Sequence, residues 1–424
     1  MLDINFIKDN KELIGEGARK KRIDFDVNKL LSVDEERRSL LQEVEKLREK
    51  QNKANEKISE AEGSEKNSAI EDMRTLKEEL RAKEEELQKV MKKWRELMIL
   101  VPNIPDVTVP EGESDEDNKE LRQWGAKPKF PFTPKSHTEI MASLDMADFE
   151  RGSKVSGFRG YFLKNDAFLL SFAIWQHAQN FFLRKGGFTP VLAPSIINKE
   201  VFLGTGYIPQ GEDDLYKTQD EQYLSGTAEV PLMGYYMDEV IDKKSLPIKL
   251  LGFSPCFRRE AGSHGKDTKG LMRVHEFYKF EQLILCEANH EESVKWHEWI
   301  NDNVESFMQE LEIPHRVVAN CGADLGLGQV KKYDVELWVP SENKYREISS
   351  ASYFHDFQSR RLNIRYRDSD GKMYFVHSLN STAAPTPRLL ISLIENNQQE
   401  DGSISIPKAL QPYMGGREKI ELLS

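Results

Sequence analysis

The sequence predicts an α+β protein in which a long antiparallel two-helix coiled-coil arm precedes a body built on an antiparallel sheet flanked by helices. Three observations carry this. Apolar residues recur at steps of three and four from Val33 to Val101 without a proline. Stretches of period-two alternation in the second half lack the regular interleaving of βαβ units. A proline-rich, acidic segment lies between the two regions.

In the arm, Val33, Leu40, Val44, Leu47, Ala54, Ile58 and Ala61 mark one helix, broken at Arg37 and Gln51. Met73, Leu76, Leu80, Leu87, Val90, Trp94, Leu97 and Val101 mark a second, broken at Lys83. Glu62-Gly63-Ser64-Glu65 supplies a helix stop and a new N-cap, which turns the chain back as a hairpin. Two helices of about 30 residues make an arm roughly 45 Å long at 1.5 Å per residue. Its charges, 16 basic against 18 acidic, read either as a solvated ion-paired face or as a phosphate grip; Lys46, Arg48, Lys50, Lys53 and Lys57 are the candidates for the grip.

Six prolines between Pro102 and Pro134, with the acidic run from Glu111 to Asp117, predict a linker lying over the surface. The expected division is residues 1–105 as an N-terminal unit with the arm at about 33–101, 106–134 as linker and entry segment, and 135–424 as the body. Within the body an amphipathic helix is predicted over Asp166–Lys185, ended by Gly186-Gly187, with an edge-type strand from Phe188 to Pro194. Tyr333–Val339 and Asn363–Arg367 alternate as strands.

At 424 residues and a net charge of −11, the chain is too long for one small module and too acidic for a basic face spread over the whole surface. No run approaches the roughly 18 apolar residues of a membrane span, and the opening MLDINFIKDN lacks the basic cluster and apolar run of a leader, so a soluble cytoplasmic protein is expected. Cys256, Cys286 and Cys321 are too few and too scattered for a disulfide framework or a structural zinc site. There is no GxGxxG after a strand, and Gly262-Ser263-His264-Gly265-Lys266-Asp267 fails the P-loop pattern at its last position.

The densest chemical signal is Phe257-Arg258-Arg259-Glu260, a twelve-residue glycine-containing loop, and Arg273-Val274-His275-Glu276-Phe277. A strand, loop and returning strand would bring Arg258, Glu260, Arg273 and Phe277 onto one surface. Arginine can clamp a phosphate, glutamate can accept an exocyclic amine, and an aromatic ring can stack on a base. A surface hairpin with paired charges would read the same way. Downstream, Thr386 as N-cap and Pro387 at the first helical position would put Arg388 in the first turn of a helix, where the dipole favours phosphate. A buried arginine paired with a carboxylate is the alternative.

Taken in order, Gly187 to Pro194, Phe257 to Phe277, and Asn380 to Arg388 with its helix resemble the three signature motifs of class II aminoacyl-tRNA synthetases. Within that class the chain resembles the seryl-tRNA synthetase family throughout its length. The carriers are the coiled-coil hairpin, Thr227-Ala228-Glu229-Val230-Pro231, Arg346-Glu347-Ile348-Ser349-Ser350, and Glu395-Asn396-Asn397-Gln398-Gln399-Glu400-Asp401-Gly402. Two positions depart from the common pattern. Asn380-Ser381-Thr382-Ala383 lacks the glycines often found in the third motif and is followed by Pro385. Glu276 stands where glutamine is common, which would add a negative charge near the adenine.

The resemblance implies a class II synthetase catalytic fold, a homodimer built partly on the first motif, and two chemical steps: serine and ATP give seryl adenylate, and serine tRNA with its long variable arm takes the seryl group. Arg258 and Arg388 would be the catalytic phosphate clamps. The ATP set would be Arg258, Arg259, Glu260, Phe277, Glu347, Ile348, Ser349, Ser350 and Arg388, with Glu347 and Ser350 holding Mg²⁺. Thr227, Ala228, Glu229, Glu281 and Thr382 would form the serine pocket. Two other readings are a coiled-coil RNA-binding protein that has lost catalysis, and a class II relative that loads a carrier protein. The presence of both motif arginines weighs against the first, and the arm against the second.

Overall fold

The computed structural model describes all residues except 1, 61, 263, 264, 266 and 422–424. Ala61 of the heptad pattern, and Ser263, His264 and Lys266 of the rejected P-loop match, therefore lie outside the described residues. The chain forms two compact units, residues 1–19 with 23–102, and residues 20–22 with 103–424.

In the first unit, helices α1 (Val27–Glu60) and α2 (Gly63–Met98) pair lengthwise. Val33, Leu40 and Val90 pack with Leu87, Trp94 and Leu97, and Val44, Leu47 and Leu80 pack with Leu76 and Leu87. Two breaks in the heptads are filled by contacts between helices or along the seam. Arg37 lies over the Trp94 ring at 4.8 Å, and Lys83 Nζ meets Glu43 Oε2 at 2.9 Å. The hairpin turn differs from expectation in one respect: the N-cap of α2 is Glu62, which makes no side-chain cap bond. Gly63 supplies the turn itself, with φ of 61°.

The second unit is organised by an eight-stranded sheet: β1 (Lys119–Trp124), β2 (Phe188–Leu192), β3 (Ile248–Phe257), β4 (Glu276–Cys286), β5 (His315–Ala319), β6 (Lys331–Val339), β7 (Lys344–His355) and β8 (His377–Thr386). Their order is β1-β5-β6-β7-β8-β4-β3-β2. Every neighbouring pair is antiparallel except β2 with β3. The first-motif strand does lie at an edge, where Pro190 needs no ladder bond on its open side. At the opposite edge is β1, contributed by the segment expected to be a linker and entry segment without a strand of the main sheet. Its Arg122 is bound by the buried Glu305 with Nε–Oε1 3.0 Å, which fixes this otherwise exposed strand.

Helices α3 (His137–Ser143), α4 (Asp166–Arg184), α5 (Glu229–Gly234), α6 (His290–Glu310) and α7 (Arg388–Asn396) surround the sheet. The main core joins Leu170, Ile174, Phe181 and Phe182 of α4 to Phe307 of α6, Leu390 and Ile394 of α7, and Phe280, Val317 and Val335 of the sheet. A smaller cluster joins Leu232 and Met233 of α5 to Leu250, Leu283 and Leu285. Leu250 and Leu251 thus fall into different clusters, as period-two alternation requires of a strand covered on both faces. The strand expected over Asn363–Arg367 is shorter, Arg365–Arg367, and belongs to a separate three-stranded sheet. Asn363 instead ends the preceding helix at φ 55°, a backbone region asparagine tolerates.

Two irregularities in the ladder decide which side chains β7 and β8 present. Opposite Val335 and Glu336, β7 carries Ser349 and Glu347 with Ile348 inserted between them; opposite Glu281 and Phe280, β8 carries Thr382 and Ala384 with Ala383 inserted. Each extra residue resets which face its strand presents.

Candidate active site

Face selection on β4 builds the site. Even-numbered Phe280 and Gln282 turn to the helices: Gln282 Nε2 donates to the Ile300 carbonyl at 3.0 Å, and Tyr278 stands 5.4 Å from the Trp175 ring. Phe277 and Lys279 therefore face the other way, into a cleft also lined by Arg258, Glu260, Arg273, Glu347, Thr382 and Arg388. Glu276 follows the even set. It receives the Tyr278 hydroxyl at 3.2 Å and lines a different hollow with Tyr161 and His275, so its charge does not enter the cleft as the sequence suggested.

Three guanidinium groups converge at the outer part of the cleft. Arg258 follows the end of β3, donates through Nε and Nη2 to the Gly226 carbonyl at 3.4 Å, and lies 5.3 Å from the Phe277 ring. Arg388 is the first residue of α7; Nε reaches the Met272 carbonyl at 3.2 Å and Nη1 the Glu347 carbonyl at 2.7 Å. Burial lowers its pKa, as do Arg258 and Arg273 nearby, while Glu347 opposes them. Arg273 is bonded to Glu260 Oε2 and to Asp267 Oδ2, both at 3.1 Å. The hydrogen bonds of Arg258 and Arg388 thus go to carbonyl oxygens, which leaves a concentration of positive charge suited to an anion.

Behind Lys279 and Thr382, which line the cleft, lies a buried group of carboxylates. Glu281 has no exposed surface; it takes Asn380 Nδ2 at 3.0 Å, Thr382 Oγ1 at 3.2 Å, Thr227 Oγ1 at 3.4 Å, and a close contact from buried Lys279. Behind it, Glu229 accepts from Gln358 Nε2 (2.7 Å), Tyr207 Oη (2.8 Å) and Asn380 Nδ2 (2.9 Å). Burial, with Glu281 nearby, pushes the Glu229 carboxyl up to about 7 against the pull of these hydrogen bonds. Asn380 donates to both carboxylates while its buried Oδ1 finds no partner among the described residues.

Not every residue singled out from the sequence enters the cleft. Arg259 turns to the 212–214 segment, with Nη1 3.1 Å from the Asp213 carbonyl. Ser349 is buried and its hydroxyl bonds the Thr382 carbonyl, tying β7 to β8, whereas Ile348 does line the cleft. Ala228 is buried at the start of α5. Because of the insertion at Ile348, Glu347 and Ser350 share one face although three positions apart. Thr386 is no N-cap: it ends β8, accepts from Trp175 Nε1 at 2.9 Å, and leaves the cap position to Pro387. On the arm, Lys46, Lys50, Lys53 and Lys57 form one exposed stripe at helical spacing, while Arg48 lies off it and bonds Glu84 of α2 at 2.6 Å.

Lys279 and Asn380 were missed as site residues. Lys279 could have been found as the same-face neighbour of Glu281, two positions before it on a strand. Tyr207 and Gln358 carry no signal in the sequence, since only the folding of distant segments brings them to Glu229.

This sheet, with an arginine at the end of one central strand and another at the start of the helix that follows a second, defines a class II aminoacyl-tRNA synthetase core. The family model for the tRNA synthetase class II core domain (G, H, P, S and T) matches residues 213–397, and that for the seryl-tRNA synthetase N-terminal domain matches residues 1–105. Serine–tRNA ligase of Deinococcus radiodurans is 44% identical over 99% of this chain and 98% of its own, and that of Acetivibrio thermocellus is 44% identical over 98% and 99%. The crystal structure of seryl-tRNA synthetase from Pyrococcus horikoshii complexed with ATP superposes with a TM-score of 0.90 at 38% identity, covering 100% of both chains. The chain belongs to the serine–tRNA ligase family.

The raised Glu229 carboxyl has a measurable consequence. Folded, it keeps its proton to about pH 7, whereas an ordinary glutamate releases it near 4.5. The folded state binds the extra proton in that interval, so its contribution to stability falls as pH climbs from about 4.5 to about 7. Glu229→Gln cannot ionise, and its stability relative to the unsubstituted protein should rise between about pH 5 and about pH 8 in urea denaturation. A pH-independent difference would remove Glu229 from this role.

Proposed function

We propose that the chain activates L-serine with ATP and transfers the seryl group to the 3′ end of serine tRNA, at the cleft between β4, β7, β8 and α7. The observation that carries this reading is an arginine-rich cleft backed, through its Lys279 and Thr382, by a buried carboxylate pocket. Attack of a carboxylate on the α-phosphorus joins two anions, so the barrier is lowered by neutralising charge and aligning the reactants, with no general base needed. Arg258 and Arg388 would grip the α- and γ-phosphates, Glu260 would accept the adenine amino group, and Phe277 would stack on the ring; Ile348 and Ser349 would contribute main chain. Thr227, Glu229, Glu281 and Thr382 would enclose serine, with Asn380 and Lys279 added to them and Ala228 contributing main chain only.

Glu347 and Ser350 would hold Mg²⁺ with the ATP phosphates. A half-exposed carboxylate and a hydroxyl on one face of β7 are too few for a cage made only of protein, but they suit an ion that keeps waters and phosphate oxygens. The ion supplies charge neutralisation on the phosphates when bound. The arm would take the tRNA through the Lys46, Lys50, Lys53 and Lys57 stripe by phosphate and shape. Homodimerisation is supported by the exposed apolar faces of α4 and β2, with Phe168 50% and Leu192 79% exposed. No helix among the described residues is long and apolar enough to cross a membrane, and the expected place of action is the cytoplasm.

The decisive experiment is ATP–pyrophosphate exchange with Mg²⁺ across an amino-acid panel. Serine should support exchange while alanine, threonine and proline should not at comparable rates; exchange independent of serine would overturn the proposal. Alanine leaves Glu281 and Thr382 without their hydroxyl partner, a mismatch that can discriminate by ~10⁴. Thr382→Val should accordingly lower the ratio of serine to alanine exchange.

Arg388→Lys should lower exchange by about tenfold or more, ~1.4 kcal/mol, because an ammonium cannot reproduce the planar fork; unchanged exchange would remove Arg388 from the site. Replacing residues 35–98 by a short bridging linker should leave serine activation intact and abolish aminoacylation. Full charging by the armless protein would assign the arm another role.

A further inference from the structure

The run Glu395-Asn396-Asn397-Gln398 fastens a segment that takes no direct part in the chemistry of the cleft. Gln398 brackets Lys135: its Oε1 accepts from the Lys135 amide at 2.8 Å and its Nε2 donates to the Lys135 carbonyl at 3.1 Å. Glu395, fully buried near the end of α7, accepts through Oε1 from the His137 amide (2.7 Å) and from His137 Nδ1 (3.0 Å), and through Oε2 from the Ser341 amide (3.0 Å). With Nδ1 donating to a carboxylate, the neutral ring carries its lone pair on Nε2. That atom accepts the amide of Leu271 at 3.2 Å, on the limb by which the 261–272 loop returns to β4.

The contact is close enough to dictate a residue. Gly270 has φ of 77°, and a Cβ there would stand 2.2 Å from His137 Nε2. Two residues on, the Met272 carbonyl accepts from Arg388 Nε at 3.2 Å. The returning limb is therefore held at two points that both lead to α7: directly at Arg388, in its first turn, and through the imidazole at Glu395, near its last.

We propose that His137 is a positioning residue for nucleotide binding: oriented by Glu395, its ring sets the Gly270–Arg273 limb against Arg388 in the cleft. The inference rests on the reading of that cleft as the ATP site. A bond that served stability alone would affect both substrates equally, whereas a limb that lines only the arginine-rich part of the cleft should affect ATP and spare serine.

The test compares KM for ATP and for serine in pyrophosphate exchange. His137→Asn keeps a donor toward Glu395 but is too short to reach Leu271, while His137→Gln can carry an acceptor oxygen to the place of Nε2. His137→Asn should raise KM for ATP about tenfold with KM for serine within about twofold, and His137→Gln should stay within about threefold for both. Gly270→Ala approaches the same contact from the loop, removes no polar atom, and by crowding His137 Nε2 should give the same ATP-selective rise; should a histidine variant fail to fold, this variant decides alone. Parallel rises in both KM values, a change confined to kcat, or equal behaviour of the Asn and Gln variants would overturn the proposal. Failure of the nucleotide reading looks different, since Arg388→Lys would then leave the ATP dependence of exchange unchanged.

Discussion

A carboxylate taken wholly out of water must have its lone pairs met, or the fold loses several kcal/mol. Glu281 is that group, and its donors come from three stretches of chain: Lys279 from its own strand, Asn380 and Thr382 from β8, and Thr227 from the turn before α5. All three must be in register together. A slip of one residue between β4 and β8 would carry Thr382 to the helical side of the sheet and leave a buried charge short of partners. The pairing of Thr382 opposite Glu281 is thus both a folding constraint and the geometry of the pocket.

The same strand pair separates two electrostatic regimes within a short distance. Outward lie three guanidinium groups, two of them bonded to carbonyl oxygens; inward lie Glu281 and Glu229 with one buried ammonium, Lys279. In the proposed reading, a zwitterionic substrate and an anionic co-substrate would meet matching charge at each end. Asn380 is the hinge between the two carboxylates, because its single amide nitrogen serves both.

Much of this was legible in the sequence because it rests on period and punctuation. The heptads gave the arm, and the alternation of Tyr333–Val339 gave a central strand. The arginines and the glutamate flanking the 261–272 loop gave one wall of the cleft, and Arg388 the facing one. What escaped has physical causes. A polar, proline-flanked stretch such as Lys119–Trp124 becomes a strand only because β5 offers it an edge and Glu305 an anchor. The side on which Glu276, Ser349 and Arg259 fall depends on strand parity and loop direction, which composition does not encode. Inserted residues such as Ile348 are invisible until the partner strand is known.

The third motif reaches its geometry without glycine, and the reason lies in how β8 leaves the sheet. It pairs with β7 only from Ser378 to Ser381; beyond that point β8 keeps its partner on the other side alone, and the Ser349 hydroxyl reaches across to the Thr382 carbonyl. Pro385, which has no N–H to offer, falls just past this parting. The two strands form a fork, and Pro385 beyond the parting brings no N–H with which the ladder could continue. The opening between the two strands is thus set in part by the covalent chain, at the one residue type that cannot extend a ladder.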